Sequence, residues 1–195
     1  MNFLLLAAGH GQRMGVNKAL MTYQGEPWIL HQLRQLIEID LKNITVVTNP
    51  SSESQLQTIL DKAPQPVQLL TNPNPDKGPF SSLQLAIAAS PDDASFVSPI
   101  DVPLRTSTLK KLRQAWLQYN QLDALIPGYK DRRGHPVILS SDFQRRLLNL
   151  HEGDPQARLD FALQALPENK KRTLIIEDPF ITLNLNTPED LATLV

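Results

Sequence analysis

The chain has 195 residues, of which 41% are hydrophobic and 20% charged, and this size and composition predict one globular domain, residues 1–195, with a sizeable core. The formal net charge of −1 argues against a nucleic-acid partner, because binding nucleic acid needs a clustered excess of lysine and arginine. The chain has no cysteine and no apolar stretch near the ~20 residues of a membrane span, so disulfides and thiolate metal sites are excluded and we expect a cytoplasmic protein without membrane contact.

Short apolar runs alternate along the chain with segments of helical periodicity. The predicted strands are 3–6, 44–48, 67–71, 95–98, 123–126, 137–139, 174–176 and 181–185. Helices are predicted to begin near Pro27, at an Asn49 cap, near Phe80, at a Thr106 cap, after Asp154 and at a capping box that starts at Thr187. Strands that alternate with helices in this way predict a mostly parallel sheet covered on both faces.

The loop after the first predicted strand has the composition of a phosphate-binding site. Gly9, Gly11 and Gly15 let the backbone turn tightly and approach a ligand that a Cβ would push away. Arg13 and Lys18 are the two types of cation that hold phosphate oxygens. A strand, a glycine-rich loop and two cations together predict a triphosphate cradle built largely from backbone N–H groups. The spacing matches neither a P-loop nor the dinucleotide fingerprint.

The full motif, Leu-Ala-Ala-Gly-His-Gly-Gln-Arg-Met-Gly-Val-Asn-Lys over residues 6–18, resembles the signature of nucleotidyltransferases related to the molybdenum cofactor cytidylyl- and guanylyltransferases. Four later stretches fit the same family in the same order: 99–103, 133–137, 153–158 and 184–191. The resemblance implies a three-layer α/β/α Rossmann-like fold, with a mostly parallel sheet and one antiparallel strand. It also implies an Mg²⁺-dependent enzyme that transfers a nucleotide from a nucleoside triphosphate to a phosphorylated acceptor and releases pyrophosphate.

This interpretation assigns residues to the nucleotide and to the metal. The predicted nucleotide-binding residues are Leu6, Ala7, Ala8, Gly9, Gly11, Arg13, Lys18, Asn72 and Ser82. Arg13, Lys18 and Asp101 are the predicted catalytic residues. Asp101 follows a buried strand in a loop stiffened by two prolines, and Mg²⁺ on substrate phosphates typically takes only one or two protein carboxylates. We expect Asp101 to bind the metal, with Asn186 in support.

The acceptor is assigned to the later motifs. Arg133 and His135 lie in a polar loop with a second arginine, which suits an acceptor that carries a phosphate. Asn184 and Asn186 alternate along the predicted strand 181–185, so both amides should share one face. Many relatives carry aspartate at one of these two positions, and the neutral amides imply a weaker contribution of the protein to the metal.

The sequence leaves two questions open: which nucleoside triphosphate is used, and which acceptor receives the nucleotide. In the resembling family Leu-Ala-Ala-Gly accompanies CTP, so Ala8 favours a cytidylyltransferase for a molybdopterin-type cofactor, whereas the Asn184 and Asn186 pair favours the guanylyl branch. Transfer to a sugar phosphate is a third enzymatic alternative. A non-catalytic nucleotide-binding regulator or chaperone of molybdenum enzymes is the alternative from another class, and such enzymes are also the delivery partners that the resemblance implies.

Overall fold

An eight-stranded mixed sheet with helices on both faces is the framework of the molecule. The structure, a computed structural model, describes residues 1–9, 17–90, 92–119, 121–151, 154, 157–187, 190–191 and 194. The strands are β1 (Asn2–Leu6), β2 (Thr22–Tyr23), β3 (Glu26–Pro27), β4 (Asn43–Thr48), β5 (Gln68–Thr71), β6 (Ser95–Pro99), β7 (Ala124–Tyr129), β8 (Arg132–Arg133), β9 (Val137–Leu139) and β10 (Lys171–Ile175). The α-helices are α1 (Trp28–Arg34), α2 (Glu53–Leu60), α3 (Pro79–Ala89), α4 (Thr106–Gln118), α5 (Ser141–Leu148) and α6 (Leu159–Ala165).

The strand order explains where a ligand can bind. The sheet runs β10-β7-β9-β6-β1-β4-β5, with β8 paired to β7, and β2 and β3 form a separate hairpin. The central strand β1 is parallel to β4 on one side and to β6 on the other. The chain moves outward from β1 through β4 to β5 and then returns to β6, so its direction of travel across the sheet reverses between β1 and β6. Doubly wound sheets bind ligands at such a reversal, outside the carboxyl ends of the strands.

The predicted antiparallel strand is present. β9 lies between β6 and β7 and is antiparallel to both, and the two-residue strand β8 is antiparallel to β7. The sheet is otherwise parallel along its main path. This mixed arrangement, with helices on both faces, confirms the fold class that the sequence indicates.

Alternate residues of the central strands enter different hydrophobic cores, as strand geometry requires. Phe3 and Leu5 of β1 pack into a core with buried side chains of α1, α2 and α4. Leu4 packs into the other core, with buried side chains of α3, α5 and α6. The three layers follow from this division. Within the described residues, no helix is both long and apolar enough to cross a lipid bilayer.

Two predicted elements are wrong. The helix expected to start after an Asn49 cap begins instead at Glu53. The Asn49 side chain accepts the N–H of Ser52 as a cap would, but residues 50–52 form a turn that precedes the helix. The strand expected over residues 181–185 is absent, and a 3₁₀ turn, Pro179–Thr182, is followed by an irregular segment. Ile181 and Leu185 are buried on either side of exposed Asn184, so the segment imitates the alternation of a strand without pairing as one.

Three other boundaries also differ from prediction. The helix expected directly after Asp154 begins at Leu159, and β10 begins at Lys171, ahead of the predicted strand 174–176. Thr106 is the first residue of α4 rather than its cap, and its hydroxyl donates to the carbonyl of Gln35. The predicted capping box is confirmed, because the Thr187 Oγ1 accepts from the N–H of Asp190 at 3.3 Å and the Asp190 carboxylate accepts from the N–H of Thr187 at 2.9 Å.

Candidate active site

Two loops face each other at the reversal point of the sheet. One follows β1 and ends in a short 3₁₀ turn, Lys18–Leu20, that starts with Lys18. The other follows β6 and carries Asp101. Parallel strands β1 and β6 are neighbours, so the loops at their carboxyl ends are brought together. This is the placement that the sequence predicts for Lys18 and Asp101.

The structure joins Lys18 to two oxygens. The Lys18 Nζ lies 2.7 Å from the Asp101 Oδ2 and donates to the Asn186 Oδ1 at 3.3 Å. The side chains of Lys18 and Asp101 are 21% and 23% exposed, so both can be reached by a ligand. Residues separated by 168 positions in the chain meet here, and together they form a compact group of one cation, one carboxylate and one amide.

The strand predicted over residues 181–185 is absent, and Asn186 is positioned by other contacts. Leu185 donates its N–H to the Asp101 carbonyl at 2.8 Å, which holds the segment against the loop that follows β6. Asn186 then donates its own N–H to the Asp190 carboxylate and its Nδ2 to the Asn184 carbonyl at 3.1 Å. Hydrogen bonds from the Asn186 and Thr187 N–H groups lower the pKa of the Asp190 carboxyl. The Asn184 side chain is exposed, and the two amides do not share a strand face.

Buried asparagines hold the beginning of the cradle loop. The Asn17 Nδ2 donates to the Ala7 carbonyl at 3.2 Å and its Oδ1 accepts from the Ala19 N–H at 3.0 Å. The Asn49 Nδ2 donates to the Ala8 and Gly9 carbonyls at 3.2 Å and 3.4 Å. Asn17 therefore ties the end of β1 to the turn that carries Lys18.

The structure describes only some of the other predicted cradle residues. Gly11 and Arg13 lie outside the described residues, as does His10. Leu6 ends β1 and lines a cavity described below. Ala7 and Ala8 are buried and belong to the two opposite cores.

Asn72 and Ser82 face each other rather than open space. The Asn72 Nδ2 lies 2.9 Å from both the Ser81 Oγ and the Ser82 Oγ, and its Oδ1 accepts from the Asn74 N–H at 2.9 Å. These side chains are buried. The described contacts thus connect the end of β5 to the first turn of α3, and direct nucleotide contact by Asn72 and Ser82 stays a prediction.

A cavity of about 820 Å³ opens over the face of the sheet that α3 and α6 cover. Its floor is apolar and includes Leu6, Phe80 and Val97. Of the four residues assigned to the acceptor, Arg133 and His135 line the cavity, whereas Asn184 and Asn186 are not among its lining residues. The remaining lining residues are Lys77, Gly78, Pro79, Leu83, Pro99, Ile126, Gly134, Val137, Ala157, Arg158, Leu159, Asp160, Leu163 and Gln164.

His135 is held in place by its main chain. Its N–H donates to the Ile181 carbonyl at 2.8 Å, and the preceding Gly134 donates to the Pro127 carbonyl at 2.9 Å. Burial lowers the pKa of His135, while the Val97 carbonyl and the Asp101 carboxylate oppose this shift. A lowered pKa keeps the imidazole neutral at neutral pH, so His135 offers a hydrogen-bonding ring to a ligand rather than a positive charge.

One observation indicates that a divalent cation fits the group formed by Lys18, Asp101 and Asn186. The Lys18 ammonium already contacts the oxygens of Asp101 and Asn186, so a positive charge is accommodated at this point. The described residues contain no cluster of three or more histidine, cysteine, aspartate or glutamate side chains that could hold a metal alone. One carboxylate and one amide match a metal held mainly by substrate phosphates.

Sequence reasoning missed the residues that support Asp101 from behind. Trp28 donates its Nε1 to the Ile100 carbonyl at 2.8 Å, and Gln32 bonds to main-chain atoms of residues 102 and 104. These partners are some seventy positions away in the chain, so local pattern gives no signal for them. A glutamine among the apolar positions of a helix is the one hint the sequence offers.

Known proteins resemble this chain over most of its length. A family model described as a MobA-like NTP transferase domain matches residues 3–169. A probable molybdenum cofactor guanylyltransferase of Synechococcus elongatus is 34% identical, over 97% of this chain and 96% of its own. The molybdenum cofactor cytidylyltransferase of Escherichia coli is 23% identical, over 97% of this chain and 93% of its own.

The same fold is found in solved structures. That of Rv0371c from Mycobacterium tuberculosis superposes with a TM-score of 0.78 at 18% identity, covering all of this chain (100%) and 97% of the other. A second structure of that protein, a complex with manganese, has a TM-score of 0.74 at 19% identity and covers 99% of this chain and 96% of the other. Given the family-model match over most of its length, this chain belongs to the MobA-like NTP transferase family and is a nucleotidyltransferase.

Proposed function

We propose that this enzyme transfers the nucleotidyl group of a nucleoside triphosphate to a phosphorylated acceptor of the molybdopterin type, with Mg²⁺ and with release of pyrophosphate. The observation that carries the proposal is the contact of Lys18 with Asp101 at 2.7 Å, at the reversal point of the sheet. Residues 1–195 would act as one catalytic domain. The names of the relatives supply the acceptor class.

The chemistry needs little from the protein beyond positioning and charge. An acceptor phosphate oxygen attacks the α-phosphorus, and the bond from that phosphorus to the bridging oxygen breaks as pyrophosphate leaves. The attacking oxygen is already ionised, so no general base is required. Lys18 would hold the triphosphate and Asp101 would hold Mg²⁺, whose charge neutralises the phosphate oxygens. Positioning and preorganised charge are the main sources of catalysis in such a site.

The cavity that Arg133 and His135 line is the proposed acceptor site. Its apolar floor, with Phe80 and Val97, suits a flat ring system, while Arg133 at its border suits a phosphate. His135 lines the same cavity, and its lowered pKa favours a neutral ring that can orient the acceptor by hydrogen bonding. These contacts would hold the acceptor with its phosphate directed toward the α-phosphorus of the triphosphate.

Two bases are candidates. Ala8 in the first motif favours CTP, which is the base that the sequence predicts. GTP is favoured by the names of the relatives, among them the guanylyltransferase at 34% identity. The ratio of kcat/KM for CTP to that for GTP decides between them.

Pyrophosphate release with Mg²⁺, acceptor and each of the four nucleoside triphosphates tests the proposal. Asp101→Asn should fold normally and lose most turnover, because the amide keeps the shape and loses the charge that holds the metal. Asp40→Asn, at an aspartate whose side chain is 86% exposed, is the control and should retain activity. Metal-dependent turnover by Asp101→Asn close to that of wild type would remove Asp101 from the site. A triphosphate that raises Tm without any release of pyrophosphate would instead indicate a binding protein.

A further inference from the structure

The loop that carries Asp101 is held by a helix as well as by the sheet, to which Ile100 donates its N–H at the Leu6 carbonyl, 2.9 Å away. Gln32 of α1 is fully buried. Its Nε2 donates to the Val102 carbonyl at 2.7 Å, and its Oε1 accepts from the Leu104 N–H at 3.0 Å. One side chain therefore satisfies a donor and an acceptor of the loop immediately after Asp101.

A second side chain of α1 holds the loop just before Asp101. Trp28 lies one turn earlier than Gln32 on the same face of the helix, and its Nε1 donates to the Ile100 carbonyl at 2.8 Å. On the opposite side, the Asp101 carbonyl accepts the N–H of Leu185 at 2.8 Å. The main chain at Asp101 is thus fixed on both sides, and its carboxylate can move only by rotation of its own side chain.

The surroundings make the amide of Gln32 hard to replace. Val102 and Leu104 are 1% and 3% exposed, so solvent cannot readily satisfy the two main-chain groups if the amide is lost. Buried polar groups left without a partner cost free energy. The loop is expected to shift until these groups find other partners, and Asp101 shifts with it.

We infer that Gln32 is a positioning residue that sets the metal affinity of Asp101. The inference rests on the proposed function, since it takes Asp101 as the carboxylate that holds the metal. The described contacts of the Gln32 amide are with the loop main chain and not with Asp101 or Lys18. Residues that orient a metal ligand from outside typically change metal affinity by about 10- to 100-fold when they are replaced.

The chain offers a matched control at the opposite end of strand β6. Gln144 of α5 is also fully buried. Its Nε2 donates to the Asp93 and Leu139 carbonyls at 2.9 Å and 3.2 Å, and its Oε1 accepts from the Ser95 hydroxyl at 3.0 Å. Ser95 begins β6, whereas Asp101 follows the end of that strand. Gln144 therefore shares the burial and bonding of Gln32 without its position behind the site.

The experiment compares Gln32→Met with Gln144→Met. Both substitutions remove one buried amide at similar volume, and urea unfolding measures the loss of stability in each. Binding of Mn²⁺ in the presence of a non-hydrolysable triphosphate, followed by electron paramagnetic resonance, measures metal affinity without turnover. We expect Gln32→Met to weaken Mn²⁺ binding by about 10- to 100-fold, and Gln144→Met to leave it unchanged. The Mg²⁺ concentration for half-maximal rate should rise in Gln32→Met, with kcat at saturating Mg²⁺ largely recovered.

Gln32→Glu is the substitute variant if Gln32→Met does not fold. Its carboxylate can still accept the N–H of Leu104, but it can no longer donate to the Val102 carbonyl. An increase in the Mn²⁺ dissociation constant for this variant would support the inference. Equal effects at Gln32 and Gln144, or unchanged Mn²⁺ binding in both Gln32 variants, would overturn it while the proposed function stands. Failure of the wild-type protein to bind Mn²⁺ with any triphosphate would overturn the proposed function and this inference together.

Discussion

Replacement of Gly134 by alanine adds only one methyl group, but it should disturb the proposed acceptor site strongly. A Cβ at Gly134 would lie 2.1 Å from the Ile181 carbonyl oxygen and 2.6 Å from its carbonyl carbon. Ordinary contact begins at 3.4 Å, so the two main chains must separate by more than 1 Å, since neither atom is on a side chain that could rotate away.

The size of the effect follows from the contacts that this separation breaks. His135 donates its N–H to the same Ile181 carbonyl at 2.8 Å, and loss of that hydrogen bond costs about 1 kcal/mol. Overpacking against the Ile181 main chain adds about 1–3 kcal/mol. We therefore expect Gly134→Ala to lower the free energy of unfolding by about 2–4 kcal/mol.

Urea unfolding and steady-state kinetics check this prediction. Gly128→Ala is the comparison, because a Cβ there meets the end of the Thr173 side chain at 2.8 Å and of the Ile175 side chain at 3.1 Å, both of which can rotate. Gly134→Ala should therefore be the less stable variant and should show the larger increase in KM for the acceptor. Equal stability of the two variants, or a loss below about 0.5 kcal/mol at Gly134, would refute the reasoning.

Three further variants test the site. Lys18→Met should lower kcat/KM by the equivalent of about 2–4 kcal/mol of transition-state stabilisation; unchanged kinetics would show that Lys18 is structural. Because burial lowers the pKa of His135, the unfolded state binds more protons below about pH 6.5 and stability falls as the pH drops through that range. His135→Gln should flatten this dependence in unfolding measurements made across that range, whereas the same change at exposed His151 should leave the slope as in wild type. Ala8→Gly should narrow or reverse a preference for CTP over GTP, because one methyl is worth about 1–3 kcal/mol of discrimination; a wild-type kcat/KM higher for GTP would contradict this.

The central contact of the site could be predicted from the sequence because it depends on rules that act locally. An apolar run followed by glycines and a lysine marks the carboxyl end of β1, and a second apolar run followed by Asp101 marks that of β6. Parallel strands then bring the two ends together, as the Lys18 to Asp101 contact shows.

The sequence could not reveal contacts made by irregular segments. Residues 181–186 alternate between buried and exposed as a strand would, yet their main-chain partners are His135 and Asp101 rather than a neighbouring strand. Gln32 carries no local signal either, because its partners lie 70 and 72 positions further along the chain. Short hairpins such as β2–β3 have only two residues in each strand, too few for a periodic pattern.

The contact between Asn186 and Lys18, across 168 positions, has a consequence for biosynthesis. Domains fold as the chain emerges from the ribosome, N-terminal parts first, and β1, β4, β5 and β6 can pair before residues 171–186 are made. Three features can form only after residues 171–186 have been made: the edge strand β10, the Leu185 hydrogen bond to Asp101 and the Asn186 hydrogen bond to Lys18. A nascent chain can therefore acquire most of its core while Lys18 and Asp101 still lack the segment that contacts them, and the site is complete only once residues 171–186 have been made.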